Sequence, residues 1–257
     1  MPWDPDQYDL FSGPRTRPAL DLLRSFEVDD PKYVVDLGCG TGNLTALLAA
    51  RWPTARVEGI DNSVSMLERA QELEANVTWI NGDIAHWEPD SPVDVLFSNA
   101  ALHWLDDHPR LIERLIGSLS PECVLAVQMP DNHREPSHQV AIRLAGDPRW
   151  RRTLEPVMRE FSVLNPDEYL ELLQPHFDTV DMWRTTYMQV LEGEHAVADW
   201  VQGSFLKPFL DALDADLAVA FLSEYRSRIK RDYSTLTNGR TLFPFSRLFL
   251  VAQRKIR

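Results

Sequence analysis

Three glycines at alternate positions, Gly38, Gly40 and Gly42, follow an acidic residue, Asp36, in the run VVDLGCGTGN (34–43). Glycine lets a backbone turn sharply and lets a ligand approach with no Cβ in the way. Asn43 then opens a helix-like run, and the first amides of a helix can face a ligand. Such a turn suits a phosphate, a nucleotide-like cofactor or a plain connection. A dinucleotide fingerprint places its third glycine at position 43, where Asn43 stands, so the spacing weighs against a dinucleotide. Further polar groups end strand-like runs. Asp61 closes ARVEGID and can accept both hydroxyls of a ribose, or can simply start the helix that follows Asn62 and Ser63. Asp83 in NGDI can meet an adenine edge or serve a turn. Asn99 and Ala100 close VDVLFSNA with small groups that leave room for a ligand.

The elements that must carry these residues alternate. Apolar, β-branched runs at 33–37, 55–61, 76–83, 93–100 and 123–130 read as strands, and helical periods fill 43–52, 63–73 and 109–119. Ser63 stands where an N-cap belongs. This alternation predicts a parallel sheet covered by helices on both faces, with ligands beyond the carboxyl ends of its strands. The second half differs. Prolines interrupt short helical patterns from 131 to 175, a β-rich run occupies 178–190, and a helical block spans 194–233. After the Asn238-Gly239 turn signal, 245–255 reads as a last strand, which makes seven. We expect one domain over 1–257, with 131–175 and 194–240 as cap or substrate-side insertions within it.

Composition narrows the partners. The 257 residues carry a net charge of -13, so there is no basic footprint for nucleic acid and a field that opposes anionic membranes. No stretch approaches the ~18 apolar residues of a membrane span. The two cysteines, Cys39 and Cys123, have no metal-site spacing and do not form a disulfide framework. The histidines are scattered. The expectations are a cytoplasmic protein, a monomer, and no metal.

VVDLGCGTGN, EGID, NGDI and SNAALHW together resemble the class I methyltransferases that use S-adenosylmethionine. The resemblance implies a Rossmann-like sheet of seven strands, the last inserted antiparallel, with a helical cap. It implies that Asp36, Gly38, Gly40 and Asn43 hold the cofactor's amino-acid part, that Asp61 takes the ribose, and that Asp83 with Ile84 takes the adenine. Asn62, Met66, Asn99, Ala100 and Trp104 complete the implied cofactor set, with S-adenosylhomocysteine as product. Segments elsewhere, WDPDQYDLFSGPRTRPALDLL, LAVQMPDNHREPSH, WRTTY and RLFLVA, are similar to the trans-aconitate methyltransferases. That likeness implies methylation of one carboxylate of a tricarboxylate to a monomethyl ester. The alternatives are a methyltransferase of another small acid or natural product, a dehydrogenase, and a non-catalytic cofactor binder.

A carboxylate with a pKa of ~4 is already ionised at pH 7, so no general base is expected and no catalytic residue in that sense. Burying a tricarboxylate requires counter-charges. Arg184 in WRTTY and Arg247 in FSRLF are the leading candidates, each on an expected strand among apolar neighbours, where an unpaired Arg is awkward. The other reading is an Arg that reaches solvent at a strand edge or pairs with one of the many acids. Tyr187, three positions after Arg184, falls on the opposite face of a regular strand. His103 can donate to a carboxylate or cap a loop. Gln128 can face the reacting carboxylate or be a buried amide. Tyr8 and Phe11, with Arg15 and Arg17, belong to a segment that can fold over the cofactor or pack as a first helix.

Overall fold

A computed structural model describes residues 16–158, 161–203 and 205–255. The strands are β1 (Tyr33–Leu37), β2 (Arg56–Asp61), β3 (Thr78–Asn81), β4 (Val93–Asn99), β5 (Leu119–Pro130), β6 (Thr179–Glu192) and β7 (Arg240–Arg254). They form one seven-stranded sheet in the order β3-β2-β1-β4-β5-β7-β6. The pairs β1–β2, β1–β4, β2–β3 and β4–β5 are parallel. The last two strands are antiparallel: Asp178 N–H donates to Gln253 C=O, while Thr186 meets Ser246 and Arg240 reaches Glu192. Strand order reverses between β1 and β4, so the Asp36 turn sits at the switch point where open α/β sheets bind ligands.

The chain divides into two compact units. The first comprises Met1–Met129, Ser162–Arg184 and Leu248–Arg257, and the second Pro130–Phe161 and Thr185–Arg247. In the first unit the described helices are α1 (Arg17–Arg24), α2 (Asn43–Arg51), α3 (Val64–Gln71), α4 (His108–Gly117) and α7 (Pro166–Leu173). Strand alternation sorts β1 into two faces. Tyr33, Val35 and Leu37 join a core with Leu111, Ile112 and Leu115 of α4 and with Tyr169 and Leu173 of α7. Val34 and Asp36 point the other way, and Thr45 of α2 bonds Asp36 there. Arg51 at the end of α2 donates to the carbonyls of Leu23 and Phe26 (2.6 and 2.8 Å), which fastens α1 to α2.

The second unit is mostly helical: α5 (Pro136–Ala145), α6 (Pro148–Leu154), α8 (Ala196–Gln202), α9 (Lys207–Asp211) and α10 (Ala215–Ile229). Its own core joins Val140, Leu144, Trp150, Phe209, Phe221, Tyr225 and Phe243. Tyr225 satisfies its buried hydroxyl by donating to Ser137 C=O at 2.8 Å. The residues expected as insertions therefore gather here, except that 162–175 lies with the first unit.

Two local expectations need correction. Ser63 occupies the N-cap position of α3, but its side chain makes no capping bond. Its hydroxyl lies 3.2 Å from that of Ser65, and Asp61 takes the Ser63 N–H instead. Arg184 is exposed, because β6 alternates along this stretch and position 184 falls on its open face. The argument from burial therefore applies to Arg247, which is 7% exposed, and not to Arg184.

Candidate active site

The site residues of the first unit stand at the carboxyl ends of β1, β2, β4 and β5. Gly38, Gly40 and Gly42 all have positive φ (80°, 55° and 79°), the left-handed region that side chains resist. At Gly38 a Cβ would meet the Ala101 Cβ at 2.2 Å, so glycine there is required by the chain itself. At Gly40 a Cβ would meet nothing within 4 Å among the described residues. Gly40 is therefore glycine for its turn, and the open space beside it is available to a ligand. The Gly38 and Cys39 N–H groups donate to Ile60 C=O (2.8 and 3.0 Å), so the turn continues the β1–β2 pairing.

Asp61 organises the turn as well as facing it. Its Oδ2 accepts the Gly40 N–H and its Oδ1 the Ser63 N–H, both at 2.9 Å. Asp36 is fully buried and accepts the Thr45 hydroxyl at 2.6 Å. Burial raises its carboxyl from the usual 3.8 to about 7; the Thr45 bond opposes this and the nearby Asp61 charge adds to it. A cation at the turn would favour the ionised form. The segments 36–43, 59–66, 80–85, 97–104 and 126–129 contain no Lys or Arg. These segments thus offer carboxylates and neutral amides, which suits a cationic ligand and disfavours a pyrophosphate.

Asp83 lies just beyond β3 and is exposed. Its carboxylate accepts the Ala85 N–H at 2.9 Å and sits 3.1 Å from His86 Nδ1, bonds that lower its pKa and hold a turn. Arg114 of α4 braces the same loop. Its guanidinium donates to Ile84 C=O at 2.6 Å and to Trp87 C=O. Ile84 is half-buried, and Asn62 and Met66 are exposed on the way into α3. Ala100 takes a left-handed φ of 54°, costly for a residue with a Cβ, and its N–H donates to Gln128 C=O at 2.8 Å. Asn99 Oδ1 is buried and has no hydrogen-bond partner among the described residues.

His103 and Trp104 lie on a 3-10 turn, Leu102–Trp104, with ring centroids 4.7 Å apart; Trp104 is 47% exposed. That turn rests on His108. His108 Nε2–H donates to Leu102 C=O at 3.0 Å, so its Nδ1 accepts from the Tyr169 hydroxyl. Both ring nitrogens are committed, and burial lowers the pKa, so His108 stays neutral. Thr45, Ala101, His108, Arg114 and Tyr169 were not anticipated. They sit inside helical periods or apolar runs, where spacing announces packing and not a site.

In the second unit Tyr187 and Arg247 are buried, and the Arg247 guanidinium lies 4.4 Å from the Phe245 ring centroid. Tyr8, Phe11 and Arg15 lie outside the described residues; Arg17 opens α1.

Comparisons with known proteins fit this geometry. Residues 34–122 match a family described as a methyltransferase domain. The trans-aconitate 2-methyltransferase of Yersinia pestis (strain Pestoides F) is 43% identical over 251 residues, 97% of each chain. That of Azoarcus sp. (strain BH72) is 44% identical over 252 residues, covering 98% of this chain and 99% of the other. Two solved structures share the fold. A putative methyltransferase from Bacillus halodurans C-125 superposes with a TM-score of 0.56 at 12% identity, covering 92% of this chain and 98% of the other. Phosphoethanolamine N-methyltransferase 2 from Haemonchus contortus, solved with S-adenosyl-L-methionine, gives 0.53 at 15% identity, covering 93% and 53%. The sheet is the one expected of a class I methyltransferase, and similarity over almost the whole length places this chain in the trans-aconitate 2-methyltransferase family.

Proposed function

We propose that the protein transfers a methyl group from S-adenosylmethionine to one carboxylate of trans-aconitate, forming a monomethyl ester and S-adenosylhomocysteine. The observation that carries this reading is the 43–44% identity to trans-aconitate 2-methyltransferases across nearly both full lengths. The open space at Gly40, the orphaned Asn99 Oδ1 and strand-end segments that contain no Lys or Arg support a fit to the cofactor. When bound, S-adenosylmethionine supplies an electrophilic methyl group on a cationic sulfur. The glycine turn admits its amino-acid part against the backbone, and Asp36 gains charge as the cation arrives. In this reading Asp61 takes the ribose, and Asp83 with Ile84 the adenine.

The chain's role in the reaction is to position the partners and exclude water. The acceptor is an ionised carboxylate, so no residue needs to remove a proton. Arg247 and Arg184 are the candidate counter-charges for the acid's other carboxylates, with Tyr187 and His103 as further hydrogen-bond donors. Among the described residues no helix is long and apolar enough to cross a membrane. The reading includes a cytoplasmic monomer, which fractionation and sedimentation test directly.

The deciding experiment uses methyl-labelled S-adenosylmethionine with a panel of tricarboxylic and dicarboxylic acids, and mass spectrometry of the products. A labelled monomethyl ester from trans-aconitate is expected. Turnover of another acid with none from trans-aconitate would defeat the substrate assignment and leave the methyltransferase assignment standing.

A further inference from the structure

Gln128 is 1% exposed, yet among the described residues neither Oε1 nor Nε2 has a hydrogen-bond partner. Asn99 is its registered neighbour on the parallel strand β4, and Asn99 Oδ1 is orphaned too. Registered residues of adjacent strands point to the same face. Leu125, Val127 and Met129 join the core under α4 and α7, so Gln128 falls on the opposite face, with Asp36 and Thr45. The Ala100 N–H to Gln128 C=O bond holds the two strand ends together. Buried polar atoms are nearly always paired. Orphans on neighbouring strand ends at the ligand-binding edge mark a place completed by a polar ligand.

We infer that Gln128, donating through Nε2–H, grips the carboxylate that receives the methyl group, while Asn99 Oδ1 beside it faces the methyl donor. The inference rests on the carboxyl-methylation reading above. The chemistry favours amides there. A guanidinium would bind the reacting oxygens in charge-assisted bonds and reduce their nucleophilicity. Amide N–H groups orient a carboxylate and leave a lone pair available. The edge segments contain no Lys or Arg to compete for it. The orphaned carbonyl oxygens, Gln128 Oε1 and Asn99 Oδ1, are negative dipole ends suited to a cationic methyl donor. The step then balances without a base: an O–C bond forms, the S–C bond breaks, its electron pair stays on sulfur, and no proton moves.

The test compares wild type with Gln128→Leu and Gln128→Glu. Kinetics use trans-aconitate and methyl-labelled S-adenosylmethionine, calorimetry reads S-adenosylhomocysteine affinity, and thermal unfolding reads the fold. Gln128→Leu removes two orphaned polar atoms at similar volume, so its Tm should equal or exceed that of wild type. Its S-adenosylhomocysteine affinity should stay within threefold, while kcat/KM for the acid falls at least 30-fold. Gln128→Glu places an anion beside the carboxylate, so its defect should deepen as pH rises from 5 to 8. A kcat/KM for Gln128→Leu within threefold of wild type would overturn the inference. So would a loss of cofactor affinity equal to the loss of activity, which would assign the pair to the cofactor, or a fall in Tm, which would make the amide structural. If wild type esterifies a different acid, the substrate assignment fails alone, and the ratio of variant to wild type on that acid still reads Gln128. If wild type esterifies none, both fall.

Discussion

Asp36→Asn keeps the shape of the side chain and removes its charge. Asn Oδ1 can still accept the Thr45 hydroxyl that Asp36 accepts at 2.6 Å. The native carboxyl titrates at about 7, against 3.8 when unburied. Below the lower value both folded and unfolded chains hold the proton, and the group contributes nothing. Between the two values the folded chain keeps a proton that the unfolded chain has released, so stability falls as pH rises. Above about 7 the deficit is constant. Some three pH units of suppressed ionisation at about 1.4 kcal/mol each give a total of about 4 kcal/mol. About 3 kcal/mol of it falls between pH 5 and 8. Urea unfolding of both proteins across that range, without cofactor, should therefore show the variant gaining about 3 kcal/mol on wild type as pH increases. The advantage should reverse for ligand binding. At pH 8 the ionised Asp36 attracts a cationic cofactor, and the variant should bind S-adenosylmethionine at least tenfold more weakly. At pH 5.5 wild type is protonated there, and the affinities should converge. A stability difference that stays flat between pH 5 and 8 would refute the burial argument. A flat affinity ratio would refute the placement of the cation.

Other substitutions separate structure from binding. Gly38→Ala drives a Cβ into Ala101, and should lower stability by about 3 kcal/mol or more in urea titration. Gly40→Ala meets only backbone strain, about 1–2 kcal/mol, but should weaken cofactor binding more than tenfold by calorimetry. Tyr169→Phe leaves His108 Nδ1 without its donor, and should cost about 1–3 kcal/mol with little change in kcat. Arg247→Met should raise KM for the acid at least tenfold with cofactor affinity unchanged; equal losses would assign Arg247 to the fold.

The glycine turn and all seven strands were legible because each has a local signature: alternate glycines, short β-branched runs and helical periods between them. Asp36, Asp61 and Asn99 were legible as strand-end residues. Their duties were less so. That Asp61 fastens Gly40 and Ser63 depends on β1 and β2 lying side by side, a long-range fact. Asp83 lies past its strand, with its oxygens engaged by Ala85 and His86, because β3 stops at Asn81. For Arg184 the sequence left two readings, a counter-charge among apolar neighbours or an Arg reaching solvent at a strand edge, and strand alternation turns it outward. Arg114 was invisible as a brace, because its partners are backbone carbonyls some thirty residues away, which no side-chain pattern records.

The place of β7 sets the order in which the sheet can be assembled during synthesis. Strand β7, Arg240–Arg254, is made after the other six strands, yet it lies between β5 and β6, not at the margin. Until it arrives, β5 exposes one side to solvent and β6 has no partner at all. A nascent chain that has not yet reached Arg240 therefore presents unpaired strands, the feature most open to wrong pairing. The sheet closes only once β7 has been made, so truncation before Arg240 should aggregate where a loop deletion would be tolerated.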